Sequence, residues 1–333
     1  MTQRTAPTLD DVARAAGVSR ATASRVINGV VPVSQPASDA VRKAVAMLGY
    51  RPNMAARALV TRRVDAVVVM VPETEDRVFS DPFFPTAYHG ALEAFRHTGI
   101  HVLLSMAHPE DGVDPMLSFF LSDQTDGAIV ISHHGQDFAR ACAASSRPVV
   151  FVGNPGVPGL SYVDVDHARA AATATAHLLQ RGARTIGSVT GPMDMSAGVE
   201  RLRGFQQAMA AAGRSGHLIA EGDFTFAGGE AASFDLLTHH PDIDALFVAS
   251  DLMASGTIRA AERLGRRVPD DLLLVGFDDS MIATQSIPPL TTMENRPDVL
   301  ARTAGLMLLD KLNGREPESP VILHSELIKR ASA

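Results

Sequence analysis

Five small or basic residues near the N-terminus have the chemistry needed to read DNA. In the segment RATASRVIN, the outward residues of a predicted helix are Arg20, Ala21, Thr22, Ser24 and Arg25. When the N-terminal end of a helix enters a major groove, an arginine can pair with two acceptors of guanine, and a short side chain can contact the thymine methyl group. The pattern therefore favours contact with base edges.

The charge of the chain is unevenly distributed. Residues 1–63 carry ten Arg or Lys and three acidic residues, whereas the 333 residues together carry 30 Arg or Lys and 37 Asp or Glu. The net charge of residues 1–63, the head, is therefore +7, and that of the remaining residues, the body, is −14. This asymmetry predicts that the head meets a polyanion and the body does not. A solvated basic surface would explain the charge equally well, so the residue spacing decides between them.

Capping residues predict two short helices at the start of the chain. Thr8 and Asp11 have the spacing of a capping box before a helix over 9–16, and Gly17 ends that helix. Ser19 is the predicted N-cap of the helix that carries the two exposed arginines. Two short helices separated by Gly-Val-Ser are typical of a helix-turn-helix. A three-helix packing module without a ligand is the alternative, but it leaves the arginines without a role.

Two further helices are predicted before the composition changes. Ser34 and Gly49 bound the third helix of the head. Asn53 can cap a short helix over about 54–60, which is too short to be stable in isolation, so we expect it to form when DNA and a second copy of the chain hold it. Leu59 has two interpretations, ordinary packing or a wedge between base steps in the minor groove.

The N-terminal segment resembles a known family of regulators. TLDDVARAAGVSRATASRVING, then VS, then LGYRPNMAARAL match without a gap over Thr8–Leu59, and they resemble the DNA-binding head and hinge of the lactose-repressor/galactose-repressor (LacI/GalR) family of bacterial transcription regulators. The resemblance implies that Arg20 and Ala21 read the sequence and that Leu59 intercalates. The implied DNA-binding residues are Thr8, Ser19, Arg20, Ala21, Thr22, Ser24, Arg25, Asn28, Ser34, Tyr50, Asn53, Ala56 and Leu59.

After residue 63 the pattern changes to apolar strands that alternate with amphipathic helices. The predicted strands cover 65–72, 101–106, 126–132, 148–153, 185–191, 245–250 and 272–277, and the predicted helices cover 84–98, 168–181, 199–212, 252–264 and 297–313. Runs of Val, Ile and Leu are typical of parallel sheets covered on both faces. About 270 such residues suit two doubly wound lobes, and ligands of such folds bind at the carboxyl ends of strands and between lobes.

The body resembles the periplasmic-binding-protein-like (type I) effector core of the same family. Matching stretches are DPFF, DVDH, ERLRGF, EGDFTF, ASDLMASG, RVPDDLLLVGFDDS and PPLTTM. The implied fold class is α/β, with an all-α helix-turn-helix head and hinge helix followed by two doubly wound α/β lobes. The implied domains are a DNA-binding domain over 1–52, a hinge over 53–63 and an effector-binding and dimerisation core over 64–333, with the lobe near DNA over about 64–163 and 293–320 and the far lobe over about 164–290 and 321–333.

Seven residues are predicted to contact an effector between the lobes. The resemblance implies that Arg201 and Asp278, on opposite lobes, hydrogen-bond effector hydroxyls; a structural ion pair is the alternative. Phenylalanines offer a flat surface to a sugar or base ring, although core packing is their commoner role. The full set is Phe83, Phe84, Asp166, Arg201, Phe224, Ser250 and Asp278.

Three positions of the body qualify this assignment. Ser250 stands where many members of the family have Asn, and Asp251 is a predicted N-cap rather than a ligand contact. The stretch ETEDRVFSD is about five residues longer than usual, and we expect it to bring Phe79 and Asp81 near the cleft mouth.

The sequence lacks the characteristic motifs of several classes of enzyme. GxSxG, HExxH, GxxxxGK[ST] and GxGxxG are absent, which argues against hydrolase, zincin, P-loop and dinucleotide-binding enzymes. The single cysteine, Cys142, is a predicted buried residue, and the pairs His133-His134 and His239-His240 are predicted to lie in solvated loops. No apolar run is long enough to span a bilayer and no signal peptide is evident, so we expect a cytoplasmic protein without cofactor or metal.

The implied function is that of a homodimeric transcription regulator, a repressor, that binds a pseudo-palindromic operator. Its effector is predicted to be a carbohydrate, with a purine-like corepressor as the alternative. A sugar-binding transport protein and an enzyme on an α/β scaffold are the rival classes. The basic head argues against the first, and the missing catalytic motifs argue against the second.

Overall fold

The computed structural model describes residues 7–28, 33–50, 63–106 and 114–333. The chain divides into two compact units, Met1–Val64 and Asp65–Ala333.

The described residues of the first unit form three helices, α1 (Leu9–Ala16), α2 (Arg20–Asn28) and α3 (Gln35–Leu48). The predicted capping box of α1 is present, because Thr8 N and Oγ1 donate to Asp11 Oδ2 at 3.0 and 2.7 Å and Thr8 Oγ1 accepts from Asp11 N. These side chains satisfy amide groups that a helix start leaves without partners.

The three helices enclose a small core. Val12 of α1, Ala23 of α2 and Val41 of α3 are fully buried at its centre. Gly17 and Gly49 end α1 and α3 with positive φ angles of 64° and 61°, as predicted. The head thus folds as a helix-turn-helix followed by a supporting helix.

In the second unit, the strands of the described residues form two six-stranded sheets. The first sheet has the order β11-β5-β4-β3-β1-β2, and all its pairs are parallel. Its strands are β1 (Ala66–Val71), β2 (His101–Met106), β3 (Gly127–Ile131), β4 (Val149–Val152), β5 (Ser161–Val165) and β11 (Val321–Leu323). The second sheet has the order β12-β10-β9-β8-β6-β7, with β12 antiparallel to β10. Its strands are β6 (Ile186–Thr190), β7 (Ile219–Glu221), β8 (Ala245–Val248), β9 (Leu273–Asp278), β10 (Thr291–Glu294) and β12 (Leu327–Ile328).

Helices of the second unit cover the sheets and connect their strands. They are α4 (Glu75–Ser80), α5 (Phe83–Ala94), α6 (Asp114–Leu121), α7 (Asp137–Ala144), α8 (His167–Gln180), α9 (Ser196–Ala211), α10 (Phe226–His239), α11 (Asp251–Arg263), α12 (Met281–Gln285) and α13 (Pro297–Leu312). The short strands β5, β7, β10, β11 and β12 were not predicted, because runs of two to five residues give little periodicity.

The central strands of the first sheet, β1, β3 and β4, are buried on both faces, as the sequence predicts. Along β1, Val67 and Val69 face one apolar cluster, whereas Val68 and Met70 face another. Helices α5 and α13 cover the first face and approach closely, since a Cβ on Gly90 would lie 2.0 Å from the backbone oxygen of Asp298. A glycine is therefore required at this contact.

The chain crosses between the sheets three times within residues 161–333. The crossings follow β5, β10 and β11. The predicted lobe boundaries are wrong at two of them: β10 lies in the second sheet although residues from 293 were assigned to the first lobe, and β11 lies in the first sheet although residues from 321 were assigned to the other. Both strands are short and close to a crossover, where apolar patterning does not report which sheet they join.

In the described part of the chain, no helix is long and apolar enough to cross a membrane.

Candidate functional site

The predicted DNA-reading surface is exposed on α2. Arg20, Ala21 and Arg25 are exposed, whereas Thr22 and Ser24 are half-buried. Arg20 Nε lies 3.5 Å from Asp10 Oδ1, and both side chains are more than half exposed. An exposed pair of this kind is weak, so it leaves the guanidinium available for an anion or a base.

The start of α2 is held by its own side chains. Ser19 Oγ accepts a hydrogen bond from Thr22 N at 3.1 Å and lies 2.9 Å from Thr22 Oγ1. The predicted N-cap is therefore present, and it fixes the end of α2 that carries Arg20.

Other predicted DNA contacts have mixed positions. Thr8 and Ser34 are exposed at the N-caps of α1 and α3, and Tyr50 is half-buried against the head core. Asn28 is the last residue of α2. The predicted hinge helix over 54–60 lies outside the described residues, as do Asn53, Ala56 and Leu59.

In the second unit, a cleft lies at the carboxyl ends of strands from both sheets. Its empty volume is about 700 Å³, which includes space open to solvent. Six of the seven predicted effector contacts line it, namely Phe83, Phe84, Arg201, Phe224, Ser250 and Asp278. Such a position is where doubly wound folds bind ligands.

Arg201 is the central cation of the cleft. Its side chain comes from α9 and is only about 5% exposed. The guanidinium donates to the carbonyl oxygen of Ala249 and, through Nε, to His167 Nδ1 at 3.3 Å. Its carbon lies 3.7 Å from the centroid of the Phe277 ring. Burial lowers the pKa of Arg201, and nearby carboxylates, Asp278 first among them, oppose that shift.

Asp278 ends β9 beside this arginine. Its Oδ1 lies 3.8 Å from Arg201 Nη2 and accepts a hydrogen bond from Asn295 Nδ2 at 2.9 Å. Burial raises the pKa of Asp278 to about 7; Arg201 opposes the shift, and the carboxylate of Asp81 adds to it. Arg201 and Asp278 were expected on opposite lobes, but both belong to the lobe of the second sheet, so they cannot close the cleft by pairing with each other.

The N-cap of α11 differs from the predicted residue, Asp251. Ser250, not Asp251, is the N-cap, and its Oγ accepts from Met253 N at 3.2 Å. Asp251 is fully buried, where its carboxylate accepts from Thr292 Oγ1 at 2.6 Å and from Ser280 N at 2.8 Å. Burial raises the pKa of Asp251 well above its usual value, and the nearby Asp278 adds to the shift.

At the first crossover, the carboxylate on the cleft is Asp164 rather than the predicted Asp166. Asp166 is exposed and caps α8, since its Oδ1 accepts from Arg169 N at 3.0 Å. Asp164 Oδ1 lies 3.0 Å from Nε2 of His167, whose other ring nitrogen accepts from Arg201. His167 is thus held as the tautomer that donates to Asp164 and supports the guanidinium.

Burial alone would raise the pKa of Asp164. The adjacent His167 and the backbone amides of Val165 and Asn154, which donate to the carboxylate, outweigh that effect and lower the pKa below its usual value. The carboxylate is therefore ionised, which suits its role as acceptor for His167.

Aromatic rings from both lobes provide the apolar part of the cleft. Phe83 and Phe84 lie at the start of α5 with their rings edge to face at 5.4 Å. Phe224, with a positive φ of 62°, faces them from the other lobe. The guanidinium carbon of Arg77 lies 5.7 Å from the centroids of both Phe84 and Phe224. The phenylalanines therefore combine core packing with a surface toward the cleft.

Two sets of hydrogen bonds join the lobes beside the cleft. Arg77, on α4, donates to the carbonyl oxygen of Asp223. His134 Nε2 lies 3.1 Å from Glu73 Oε1 on its own lobe, and His134 Nδ1 lies 2.9 Å from Asp194 Oδ2 on the other. The hydrogen bond to Glu73, with Asp194 adding to it, raises the pKa of His134 against the opposing effect of burial.

The prediction that His133 and His134 lie in a solvated loop is wrong for His133, whose side chain is buried, whereas His134 lies in an exposed loop. His134 is engaged by two carboxylates, and His133 is about 8% exposed on the cleft wall. Cys142 is buried, as predicted, and burial raises the pKa of its thiol to about 12. Within the described ranges, no group of three or more His, Cys, Asp or Glu residues is placed to hold a metal ion.

The longer stretch before α5 forms α4. It places Asp81 on the cleft, where burial raises the pKa of its carboxyl group despite the hydrogen bond from Phe83 N. Phe79 is 72% exposed and does not line the cavity.

Seven polar residues of the cleft were not predicted as contacts: Arg77, Ser132, His133, Asp164, His167, Ser196 and Asn295. Ser132, His133 and Asn295 follow the ends of β3 and β10, which is the signal that points to this edge of a sheet. Arg77 carries no such signal, because it lies on a helix whose direction depends on the fold.

Known proteins match both units of the chain. Residues 8–53 match a model described as bacterial regulatory proteins, lacI family, and residues 175–333 match the periplasmic binding protein-like domain. The HTH-type transcriptional regulator CelR of Thermobifida fusca is 39% identical over 340 aligned residues, which cover 100% of each chain.

Two solved structures extend the comparison. The transcriptional regulator CelR–cellobiose complex has a TM-score of 0.77 and 36% identity, and the match covers 98% of this chain and 100% of that one. The lac repressor dimer bound to operator and the anti-inducer ONPF has a TM-score of 0.86 and 25% identity, with 98% and 99% covered. Both matches span the head and the two-sheet body.

Proposed function

The chain belongs to the LacI family of bacterial transcription regulators, and from that premise we propose that a β-linked glucoside such as cellobiose binds in the cleft and controls the affinity of the protein for its operator. As a member of this family it is a sequence-specific DNA-binding regulator whose partners are double-stranded operator DNA and a small effector. We further propose that it acts as a cytoplasmic repressor.

The composition of the cleft wall is the observation that carries the sugar assignment. Phe83, Phe84 and Phe224 supply apolar ring faces, and Arg201 and Asp278 supply a donor and an acceptor at their edge. A sugar ring has an apolar face of C–H groups and a rim of hydroxyls that donate and accept, so this combination fits it. The solved complex of the relative CelR holds cellobiose, which supports the choice of a glucoside as the first ligand to test.

Two copies of the chain account best for operator recognition. Each head presents one α2 surface, and two heads related by a two-fold axis read two half-sites of a pseudo-palindromic sequence. The lac repressor, which is similar over 98% of this chain, binds its operator as a dimer. We propose the same assembly here, with Leu59 from each chain inserted between central base steps.

The effector acts by favouring one arrangement of the two lobes. A ligand that contacts Arg201 and Asp278 on one lobe and Phe83 and Phe84 on the other binds best when the lobes are close. A coupling free energy of about 1–3 kcal/mol per effector site is enough to shift operator affinity 5- to 150-fold. Because the predicted hinge helix is marginal by itself, a small displacement of the lobes suffices to unfold it and release DNA.

Selection from a random duplex library with the full-length protein tests this function. We expect a pseudo-palindromic sequence to emerge, with affinity that falls steeply with salt. Cellobiose should then release the protein from that sequence, and maltose serves as the control disaccharide with a different linkage.

Two results would contradict the proposal in different ways. No sequence preference over random competitor would overturn the DNA-binding assignment. Release of the protein from its operator without any sugar, or tighter operator binding in the presence of hypoxanthine, would overturn the sugar assignment. The effector would then be a purine-like corepressor.

A further inference from the structure

His133 is a buried imidazole on the wall of the cleft. It follows β3, its side chain is about 8% exposed, and it lines the same cavity as Arg201 and Asp278. Neither of its ring nitrogens has a hydrogen-bond partner among the described residues. Its ring lies edge-on to that of Phe151, with the centroids 5.3 Å apart.

The neighbours of His133 hold it in this position. Ser132 Oγ donates to Glu73 Oε1 at 2.7 Å, and His134 Nε2 lies 3.1 Å from the same oxygen. One carboxylate thus fixes the residue before His133 and the residue after it. Ser132 has a positive φ of 61°, so the backbone turns sharply at this point. Hydrogen bonds on both sides therefore hold the imidazole of His133 at the wall of the cavity.

A buried imidazole without partners is costly for a folded protein. Burial lowers the pKa of His133, so the ring is neutral near pH 7, with one nitrogen that donates and one that accepts. Buried polar groups without partners are rare in native proteins and mark positions that a ligand or water satisfies. An apolar residue of similar volume would pack against Phe151 without that cost.

We propose that His133 is a specificity-determining contact for the effector and hydrogen-bonds one of its hydroxyl groups. A hydroxyl donates and accepts, as a neutral imidazole does, so the two groups match whichever tautomer is present. A ligand that lacks a hydroxyl at this point leaves the imidazole unpaired and binds more weakly. The inference rests on the proposed function, since it assigns a further contact to the same cleft.

Substitution of His133 separates a ligand contact from a structural role. His133→Leu removes both nitrogens at similar volume, and His133→Gln retains a donor and an acceptor. We expect His133→Leu to bind cellobiose at least tenfold more weakly than the wild type in isothermal titration, while its melting temperature without sugar is equal or higher. His133→Gln should recover part of the affinity.

His177→Leu is the matched control. His177 is also buried, and its Nε2 also lacks a partner among the described residues, but it does not line the cleft. Its replacement should leave the cellobiose affinity at the wild-type value. The melting temperature of each variant shows that it is folded before titration.

The outcomes distinguish this inference from the proposed function. Wild-type affinity in His133→Leu, or an equal loss in His177→Leu, would overturn the role of His133 and leave the sugar-binding function in place. A wild-type protein that binds none of cellobiose, lactose, maltose and glucose would overturn the sugar assignment and the inference with it. A loss confined to His133→Leu, with partial recovery in His133→Gln, supports both.

Discussion

His134 Nδ1 lies 2.9 Å from Asp194 Oδ2, and this contact joins the two lobes of the effector core. The other ring nitrogen is 3.1 Å from Glu73, so one imidazole lies between two carboxylates. Next to it, the backbone amide of Gly135 donates to the carbonyl oxygen of Asp194 at 2.9 Å. Protonation of His134 gives both contacts the character of ion pairs, so we expect the strength of this contact between the lobes to depend on pH.

We predict that His134→Gln flattens the pH dependence of stability. The folded protein raises the pKa of His134, so its contribution is complete below the unfolded pKa of about 6.5 and is lost as pH rises through the folded value. Because the side chain is 37% exposed and solvent screens its charge, we expect the change in stability between pH 6 and pH 8 to stay below about 1 kcal/mol. Thermal unfolding at the two pH values measures it. His239→Gln, at an exposed pair with Asp235 on one helix, is the control and should retain the wild-type slope.

Asp278 predicts a second pH effect. Its pKa is raised to about 7 in the fold, so its contribution to stability is present below the unfolded pKa near 3.9 and is lost as pH rises through 7. Between pH 6 and pH 8 this loss is on the order of 1 kcal/mol. Asp278→Asn should remove that part of the slope, whatever its effect on stability at one pH. An equal slope in wild type and variant would show that Asp278 ionises normally.

The sequence predicts the principal groups of the cleft but not its complete wall. Arg201, Asp278 and Phe224 lie in family motifs, and the structure brings them into one cavity. Asn295 and His133 were missed because a crossover and a loop have no periodic pattern. Their burial depends on how two separate sheets meet, and short stretches of sequence do not report that arrangement.

The same reasoning separates strong from weak predictions of the fold. Capped helices such as α1 and long apolar strands such as β1 agree with the structure, because local hydrogen bonds and alternation of buried residues specify them. The strand β11 was assigned to the wrong lobe, because its three residues pair with β5 through long-range contacts alone.

Arg201→Lys should strongly weaken the response to effector while preserving the charge of the site. A lysine cannot donate at once to Ala249, His167 and a ligand, since its single ammonium lacks the planar fork of arginine. We expect cellobiose affinity to fall by about 2–3 kcal/mol, the cost of losing a charged hydrogen bond. Isothermal titration measures it, with Arg203→Lys on the exposed face of α9 as the control. A normal response in Arg201→Lys would remove Arg201 from the effector site.

Arg20 and Ala21 should determine which operator bases are preferred. Arg20 is exposed and only weakly paired, so its replacement by Gln should change base preference at one position by about 1–3 kcal/mol. Arg42 is an exposed residue of α3, and Arg42→Gln removes one positive charge, as Arg20→Gln does. It should not alter the preferred operator sequence. Library selection with each variant makes the comparison. An unchanged preference in both Arg20→Gln and Ala21→Ser would show that another surface reads the bases.

Leu59→Ala should weaken specific binding without loss of the fold. The predicted wedge acts only on bent operator DNA, where unstacking a base step costs a few kcal/mol that the inserted side chain and additional contacts offset. Alanine is too short to fill the step, so we expect operator affinity to fall at least tenfold while binding to random duplex changes little. Fluorescence anisotropy with both duplexes measures the ratio, and circular dichroism reports the fold. Leu48→Met, in the head core, controls for small changes in packing. Wild-type operator affinity in Leu59→Ala would leave Leu59 with the packing role that its sequence also allows.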